Sequence, residues 1–368
     1  MTRRDVVLVT ADSVRYDAAG AMETLDDLDQ LRGITAGHYT RPSLGGLHSG
    51  RLDGAIRSRV VAPSLAGTFA DAGYTTVGFA ATPQVHPEFG FDDGFDTYHA
   101  FADRGTRGST IRERLSNIDL LRRVYHRVFP PHAKLSDLPA DEAVVDRAID
   151  RFRAADGPRF LWVHLMGTHR PYGRGADAIP ESLDRKALFA PDRLSADERD
   201  QLDDAYRDAV GRAGDAVGRL REAVPDDAVF VFTSDHGDEF GEEGYYFHQP
   251  QRRRVAAKLV EVPVAVDGVD TVGDRCSLLD LPPTLASAVG IDPPAEWSGV
   301  DLATRERETT LTVAPWNDRA TVLWQDFDRR LVATDATVTL ADDDGRTAVD
   351  DGDLDGPTEQ LRDLGYVG

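Results

Sequence analysis

The sequence predicts an α/β fold with a mostly parallel central sheet sandwiched by helices, and a small antiparallel sheet at the C-terminal end. Three observations carry this prediction. Short, unbroken apolar runs bounded by turn residues recur along the chain, as strands buried on both faces do. Helical stretches alternate with them, the pattern of a sheet wound in βαβ units. Beyond about residue 300 the apolar segments shorten and acidic turns divide them, which reads as antiparallel strands. The expected division is a catalytic α/β unit over 1–300 and a small antiparallel subdomain over 301–368 packed on it.

Val6–Thr10 is the first strand. Leu65–Ala72 reads as a helix that stops at Gly73 and hands over to the strand Thr75–Ala80. Phe160–Leu165 is another buried strand. Ser195 to Val224 is the clearest helix: Ser195 and Glu198 form a capping box, and Leu202, Tyr206, Ala209, Val210, Ala213, Val217 and Leu220 keep a 3.6-residue period. Ala228–Phe232 is a strand closed by Gly237, and Val262–Val266 is a further one. Thr309–Val313, Thr321–Trp324, Arg330–Val332 and Thr337–Leu340 are the late short strands, split by turns such as Asp342-Asp343-Asp344-Gly345. Residues 102–158 and 173–194 are polar and read as insertions or loops near the top of the sheet.

The chain of 368 residues holds 64 acidic and 42 basic residues, a net charge of -22. Lys134, Lys186 and Lys258 are its only lysines, so arginine supplies nearly all of the positive charge. Such a surface disfavours nucleic acid and anionic membranes as partners. It reads as adaptation to high salt of the haloarchaeal type. Cys276 is the single cysteine, which excludes an intrachain disulfide and a cysteine-rich metal site. The run Val6–Thr10 is too short for a signal-peptide core and no stretch approaches a membrane span, so the expected location is cytoplasmic. The sequence does not fix an oligomeric state.

Asp235 and His236 end the buried strand before Gly237. Ligands of open α/β sheets bind at the C-terminal ends of the strands, and a carboxylate beside an imidazole there offers two ligands for a hard cation. The alternative is a polar loop. Asp12 follows the first strand in the same way, as a ligand or a helix N-cap. The segment Tyr39-Thr40-Arg41-Pro42-Ser43 reads as an ordinary loop and short helix, or as a hydroxyl held at a helix N-terminus. His169 stands after the third strand, in Thr168-His169-Arg170-Pro171-Tyr172. Arg252, Arg253 and Arg254 read as an anion-binding group or a solvated basic loop. Asp238, Glu239 and Glu242 read as surface or supporting carboxylates, and Trp162 as core.

Taken in order, Asp12-Ser13-Val14-Arg15, Thr40-Arg41-Pro42-Ser43, His169-Arg170-Pro171-Tyr172 and Thr233-Ser234-Asp235-His236-Gly237-Asp238-Glu239-Phe240-Gly241 resemble the sulfatase branch of the alkaline phosphatase superfamily. Ala72-Gly73-Tyr74-Thr75-Thr76, Gly90-Phe91-Asp92-Asp93-Gly94, Leu279-Asp280-Leu281-Pro282 and the tail Leu361–Val367 extend the resemblance over nearly the whole chain. It implies that Asp12, Thr40, Asp235 and His236 hold one divalent metal ion. Thr40 would also be the nucleophile, with His169 and His248 contacting the transferred group or protonating the leaving oxygen. Arg15, Arg252 and Arg253 are candidates for the anionic substrate. A cation in that set would activate a hydroxyl and neutralise an anionic ester.

Departures from the family pattern bear on the chemistry. Thr40 stands where sulfatases carry a Cys or Ser that becomes formylglycine, and oxidation of a secondary alcohol gives a ketone instead. Leu44 and Ser13 replace an Arg and an Asp of the sulfatase motif. Leu165 occupies the place of an Asp in two-metal relatives, and Glu243 that of a His. The site chemistry resembles single-metal, threonine-nucleophile phosphotransferases. The expected activity is therefore metal-dependent hydrolysis or transfer of a phosphate or sulfate ester through Thr40, the phosphoester favoured. The alternatives are a sulfuric ester hydrolase independent of formylglycine, and a non-catalytic protein that binds an anion or a partner. Manganese, magnesium, calcium and zinc all suit the donors.

Overall fold

The computed structural model describes residues 3–100, 138–173, 177–317, 319–326, 329–334, 338–342 and 345–347. Eight strands form the central sheet: β1 (Val6–Ala11), β2 (Asp29–Ile34), β3 (Thr75–Ala80), β4 (Thr97–Ala100), β5 (Arg159–Leu165), β6 (Val229–Ser234), β7 (Glu261–Asp267) and β8 (Arg275–Ser277). Their spatial order is β4-β3-β5-β1-β6-β7-β2-β8. The pairs from β4 to β6 are parallel, as is β2 with β8. Strand β7 runs antiparallel to both β6 and β2.

Alternate residues of the buried strands feed two cores. Val7, Val9, Phe230 and Phe232 point to one face. There they meet α4 (Asp141–Ala154) and α6 (Ala196–Ala223) through Val144, Phe152, Tyr206 and Val210. Val6, Leu8, Phe160, Trp162 and Val231 point to the other. They meet α1 (Thr40–Ser49), α3 (Leu65–Asp71) and α8 (Leu281–Ala288) through Leu44, Phe69 and Leu285. The remaining helices are α2 (Leu52–Arg57), α5 (Glu181–Phe189) and α7 (Ala257–Val260). The capping box at Ser195 is present in full, with Glu198 answering the Ser195 amide at 2.8 Å. No helix among the described residues is long and apolar enough to cross a membrane.

Strands β9 (Thr310–Trp316), β10 (Arg319–Gln325), β11 (Arg329–Ala333), β12 (Val338–Asp342) and β13 (Gly345–Thr347) form a second, wholly antiparallel sheet. Its first strand grips the chain that leads into α1. The Val313 amide donates to the Ala36 carbonyl at 2.9 Å, and Thr312 Oγ1 to the Thr35 carbonyl at 2.6 Å.

Two expectations need correction. Part of the polar stretch 102–158 is α4, a 14-residue helix packed against the sheet, and part of 173–194 is α5. Both are mostly charged outside, which hides a narrow apolar stripe. Residues 102–137 and 174–176, and the tail Leu361–Val367, lie outside the described residues.

Candidate active site

Register brings the first two carboxylates together. Ala11 pairs with Ser234 on one side and with Leu165 on the other. The next residues, Asp12 and Asp235, therefore leave adjacent parallel strands at the same level, and the segment from Met166 to His169 leaves the third. Ser13 then takes a left-handed backbone with φ 63, a conformation that disfavours a residue with a Cβ by about 1 kcal/mol. The turn aims its amide at Asp235 Oδ1 at 3.1 Å, and its hydroxyl donates to Asp12 Oδ1 at 2.6 Å.

Thr40 arrives from elsewhere in the fold. It is the first residue of α1, where unpaired backbone amides favour negative charge. Gly37 allows this placement. A Cβ there would lie 2.4 Å from the Ser43 nitrogen and 2.6 Å from the Pro42 carbonyl carbon. Thr40 Oγ1 consequently lies 3.1 Å from Asp12 Oδ2 and 3.4 Å from His236 Nε2.

Asp12, Asp235 and His236 are buried, with ligand atoms all within 4.8 Å of one another. His236 Nδ1 lies 2.9 Å from the Gly237 carbonyl, so that nitrogen carries the proton and Nε2 turns its lone pair to the cluster. Asp235 Oδ2 is buried and has no hydrogen-bond partner among the described residues. Burial, and then the neighbouring Asp12, raises the Asp235 carboxyl to about 7. Burial also pushes Asp12 upward, but the imidazoles of His169, His236, His248 and His164 outweigh it and hold that carboxyl below the usual range. Burial lowers His236, while Asp235 and Asp12 more than reverse this. Two adjacent buried carboxylates, one with an orphaned oxygen, an imidazole nitrogen and a hydroxyl make a donor set that fits a divalent cation.

Two further histidines frame the cluster. His169 Nδ1 bonds the Arg170 carbonyl. Its ring centroid lies 5.3 Å from that of His248, which in turn lies 4.4 Å from His236. His248 Nδ1 is 2.7 Å from Asp238 Oδ1, and burial followed by the field of His236 lowers its pKa to about 4. The structure thus gathers Asp12, Thr40, His169, Asp235, His236 and His248 in one place.

The arginine candidates fare differently. Arg15 is taken up by Asp17 at 2.7 Å and Glu242 at 2.7 Å, so its guanidinium is not open to a substrate. Arg252 bonds Gln249 at 2.6 Å, and Arg254 pairs with Glu239 and Glu243. The field of Arg253 reaches His38. Asp238 and Glu239 are buried rather than superficial. Cys276 is buried in β8, apart from the cluster. Sequence reasoning passed over His164, whose Nε2 is 3.9 Å from Asp12 Oδ2 and whose Nδ1 is 2.9 Å from Thr10 Oγ1. Its one signal was an imidazole inside an otherwise apolar strand.

Two carboxylates, an imidazole and the hydroxyl that begins α1, gathered at the C-terminal edge of a mostly parallel sheet, are the donors of an ester-hydrolase site able to take a divalent ion. The sulfatase family model matches residues 4–291, and the chain belongs to that family. No curated protein matches the sequence. Among solved structures, the fold is similar to a phosphonate monoester hydrolase from Silicibacter pomeroyi. The TM-score is 0.69 at 17% identity, covering 98% of this chain and 95% of that one. The phosphonate monoester hydrolase of Agrobacterium radiobacter gives 0.67 at 16% identity, covering 99% and 94%. The 2-O GAG sulfatase BT1596 gives 0.68 at 14% identity, covering 98% and 91%.

Proposed function

We propose that this sulfatase-family hydrolase acts on a phosphoester with Thr40 as its nucleophile. The observation that carries the reading is the placement of Thr40 Oγ1, 3.1 Å from Asp12 Oδ2 at the N-terminus of α1. Asp12, Thr40, Asp235 and His236 would hold one divalent ion, of manganese, magnesium, calcium or zinc. Such an ion, when bound, supplies positive charge to offset an anionic ester and to lower the pKa of a hydroxyl.

The residues provide the rest. Thr40 Oγ attacks phosphorus and passes its proton to the carboxylate cluster. The bond from phosphorus to the leaving oxygen breaks, and His169, part-exposed beside the cluster, gives that oxygen a proton through Nε2. His248, kept neutral by burial and held through Nδ1 by Asp238, walls the site beside His236 and His169. Water, or a second alcohol, then attacks the phosphothreonine and gives its proton to His169; the bond from phosphorus to Thr40 Oγ breaks, and the carboxylate cluster returns the proton to that oxygen. Residues 1–300 form the catalytic unit in this reading, and 301–368 a subdomain that braces the approach to Thr40 through Thr312 and Val313.

A threonine cannot become formylglycine, and the likeness in fold to two phosphonate monoester hydrolases supports a phosphorus centre. A sulfate ester is the second reading, favoured by the family itself. The test sets nitrophenyl phosphate, bis-nitrophenyl phosphate and nitrophenyl sulfate side by side with each metal. Thr40→Ala is expected to lower kcat by at least about 1,000-fold while calorimetry still detects metal binding. Undiminished turnover would sink the mechanism, and faster sulfate than phosphate hydrolysis would select the second reading.

A further inference from the structure

Arg41 follows the nucleophile in the first turn of α1. Its guanidinium carbon lies 3.8 Å from the centroid of the Phe89 ring, and Nη2 donates to Gln84 Oε1 at 2.8 Å. Nε is buried without a partner among the described residues. Four other part-buried guanidinia meet a carboxylate: Arg159 has Asp5, Arg170 has Asp184, Arg254 has Glu239 and Arg307 has Asp280, whereas Arg252, like Arg41, bonds a glutamine. Arg41 faces a neutral amide instead, in a chain of 64 acidic residues. A part-buried cation that meets no carboxylate gains from an anion that accepts a hydrogen bond from its open edge.

Its position says which anion. Consecutive residues on a helix diverge by about 100°, so Thr40 turns to Asp12 while Arg41 turns away. Gln84 and Phe89 belong to the segment that follows β3, and β5 separates β3 from β1. Two strand spacings make roughly 10 Å. That is too far for the oxygens of the group transferred at Thr40 and suits a group on the alcohol side of the ester. The part exposure of Arg41, Gln84 and Phe89 leaves this spot open to a ligand.

We propose that Arg41, braced by Gln84 and Phe89, is a specificity-determining residue that binds a second anionic group on the alcohol portion of the substrate. The substrate class is then an ester charged at two separated points: the phosphoryl group at Thr40, and a carboxylate, phosphate or sulfate at Arg41. This rests on the reading of Thr40 as the site of transfer.

Hexyl phosphate and 5-carboxypentyl phosphate differ by one terminal carboxylate and serve as probes. Calorimetry on metal-loaded Thr40→Ala protein, full length, avoids turnover. 5-Carboxypentyl phosphate is expected to bind about 10- to 50-fold more tightly than hexyl phosphate, the range of a charge-assisted hydrogen-bonded pair. Arg41→Gln is expected to bring that ratio to about one, and Arg41→Lys to restore part of it. A 5-carboxypentyl phosphate of which the carboxylate is replaced by phosphate tells which anion is preferred, and a preference for either supports the proposal. An equal ratio with and without the Arg41 charge overturns the subsite, as does no preference in the parent protein. Failure of both probes to bind overturns the Thr40 reading, and the subsite with it.

Discussion

Asp238 accepts three hydrogen bonds while standing outside the ligand cluster. Its Oδ1 takes the His248 amide at 2.7 Å and His248 Nδ1 at 2.7 Å, and its Oδ2 takes the Tyr172 hydroxyl at 2.7 Å. Burial opposes its charge, but the His248 imidazole and its hydrogen bond, followed by His236 and Tyr172, keep the carboxyl below its ordinary pKa. The proton of His248 is thereby fixed on Nδ1, and the ring is held beside His236 and His169. An outer carboxylate of this kind typically contributes 10- to 100-fold. Asp238→Asn is expected to lower kcat by roughly that factor, with KM changed less than about threefold. A change confined to KM would remove Asp238 from this role. Asp12, Thr40 and Asp235 were legible in the sequence because each ends a strand or begins a helix, where direction is set by the backbone. Asp238 was not, since its burial depends on Tyr172, 66 positions away. His164 was hidden by its strand: a period of two cannot tell a core imidazole from one turned to a site.

At the scale of elements, the site depends on how closely α1 approaches the chain that enters it. Gly37 has no room for a side chain, because its neighbours there are backbone atoms of Pro42 and Ser43, which cannot yield as a flexible side chain can. Gly37→Ala is expected to destabilise the protein by roughly 1–3 kcal/mol and to lower turnover at least tenfold by displacing Thr40. Gly20→Ala, where nothing lies within 4 Å of the added carbon, is the control and leaves both unchanged. Melting temperature and kcat of the two variants decide the matter. The core strands and α6 were readable because their apolar periods are unbroken. Strand β2, Asp-Gln-Leu-Arg-Gly-Ile, buries Leu31, Gly33 and Ile34 among polar neighbours, and no apolar run marks it. In α4 the apolar buried side is Val144, Val145, Ala148 and Phe152, set among seven charged residues of the helix sequence DEAVVDRAIDRFRA. Tertiary context rather than local pattern makes both elements: β2 is held between β7 and β8, and α4 packs on β5 and α6.

Across the whole molecule, a net charge of -22 sets carboxylate against carboxylate in dilute buffer. Salt shortens the reach of that repulsion to about 3 Å at 1 M, so the melting temperature is expected to rise steadily from 0.05 M to about 2 M potassium chloride, and a flat or falling curve contradicts adaptation to salt. Acid protonates those surface carboxylates too, so the effect of pH on the interior is best read in molar salt. There, buried imidazoles govern. His48 lies against Trp162 with ring centroids 4.1 Å apart, and its buried Nε2 has no partner among the described residues. Burial, with a smaller contribution from His164, lowers its pKa from 6.5 to about 3. The unfolded chain therefore takes up the proton first. The stabilising contribution of neutral His48 is complete above pH 6.5 and is lost as the pH falls from 6.5 toward 3. His38, also buried neutral, follows the same sign with a pKa of about 3. Asp235 has the opposite sign, since its raised carboxyl favours the folded state in acid. The difference between the parent and His48→Phe cancels what they share. Phenylalanine fills the place of the imidazole without taking a proton, so the parent is expected to lose stability more steeply than the variant by up to about 1.4 kcal/mol per pH unit between pH 6 and 4. Parallel curves from denaturant titrations across that window would show that His48 is already protonated in the fold.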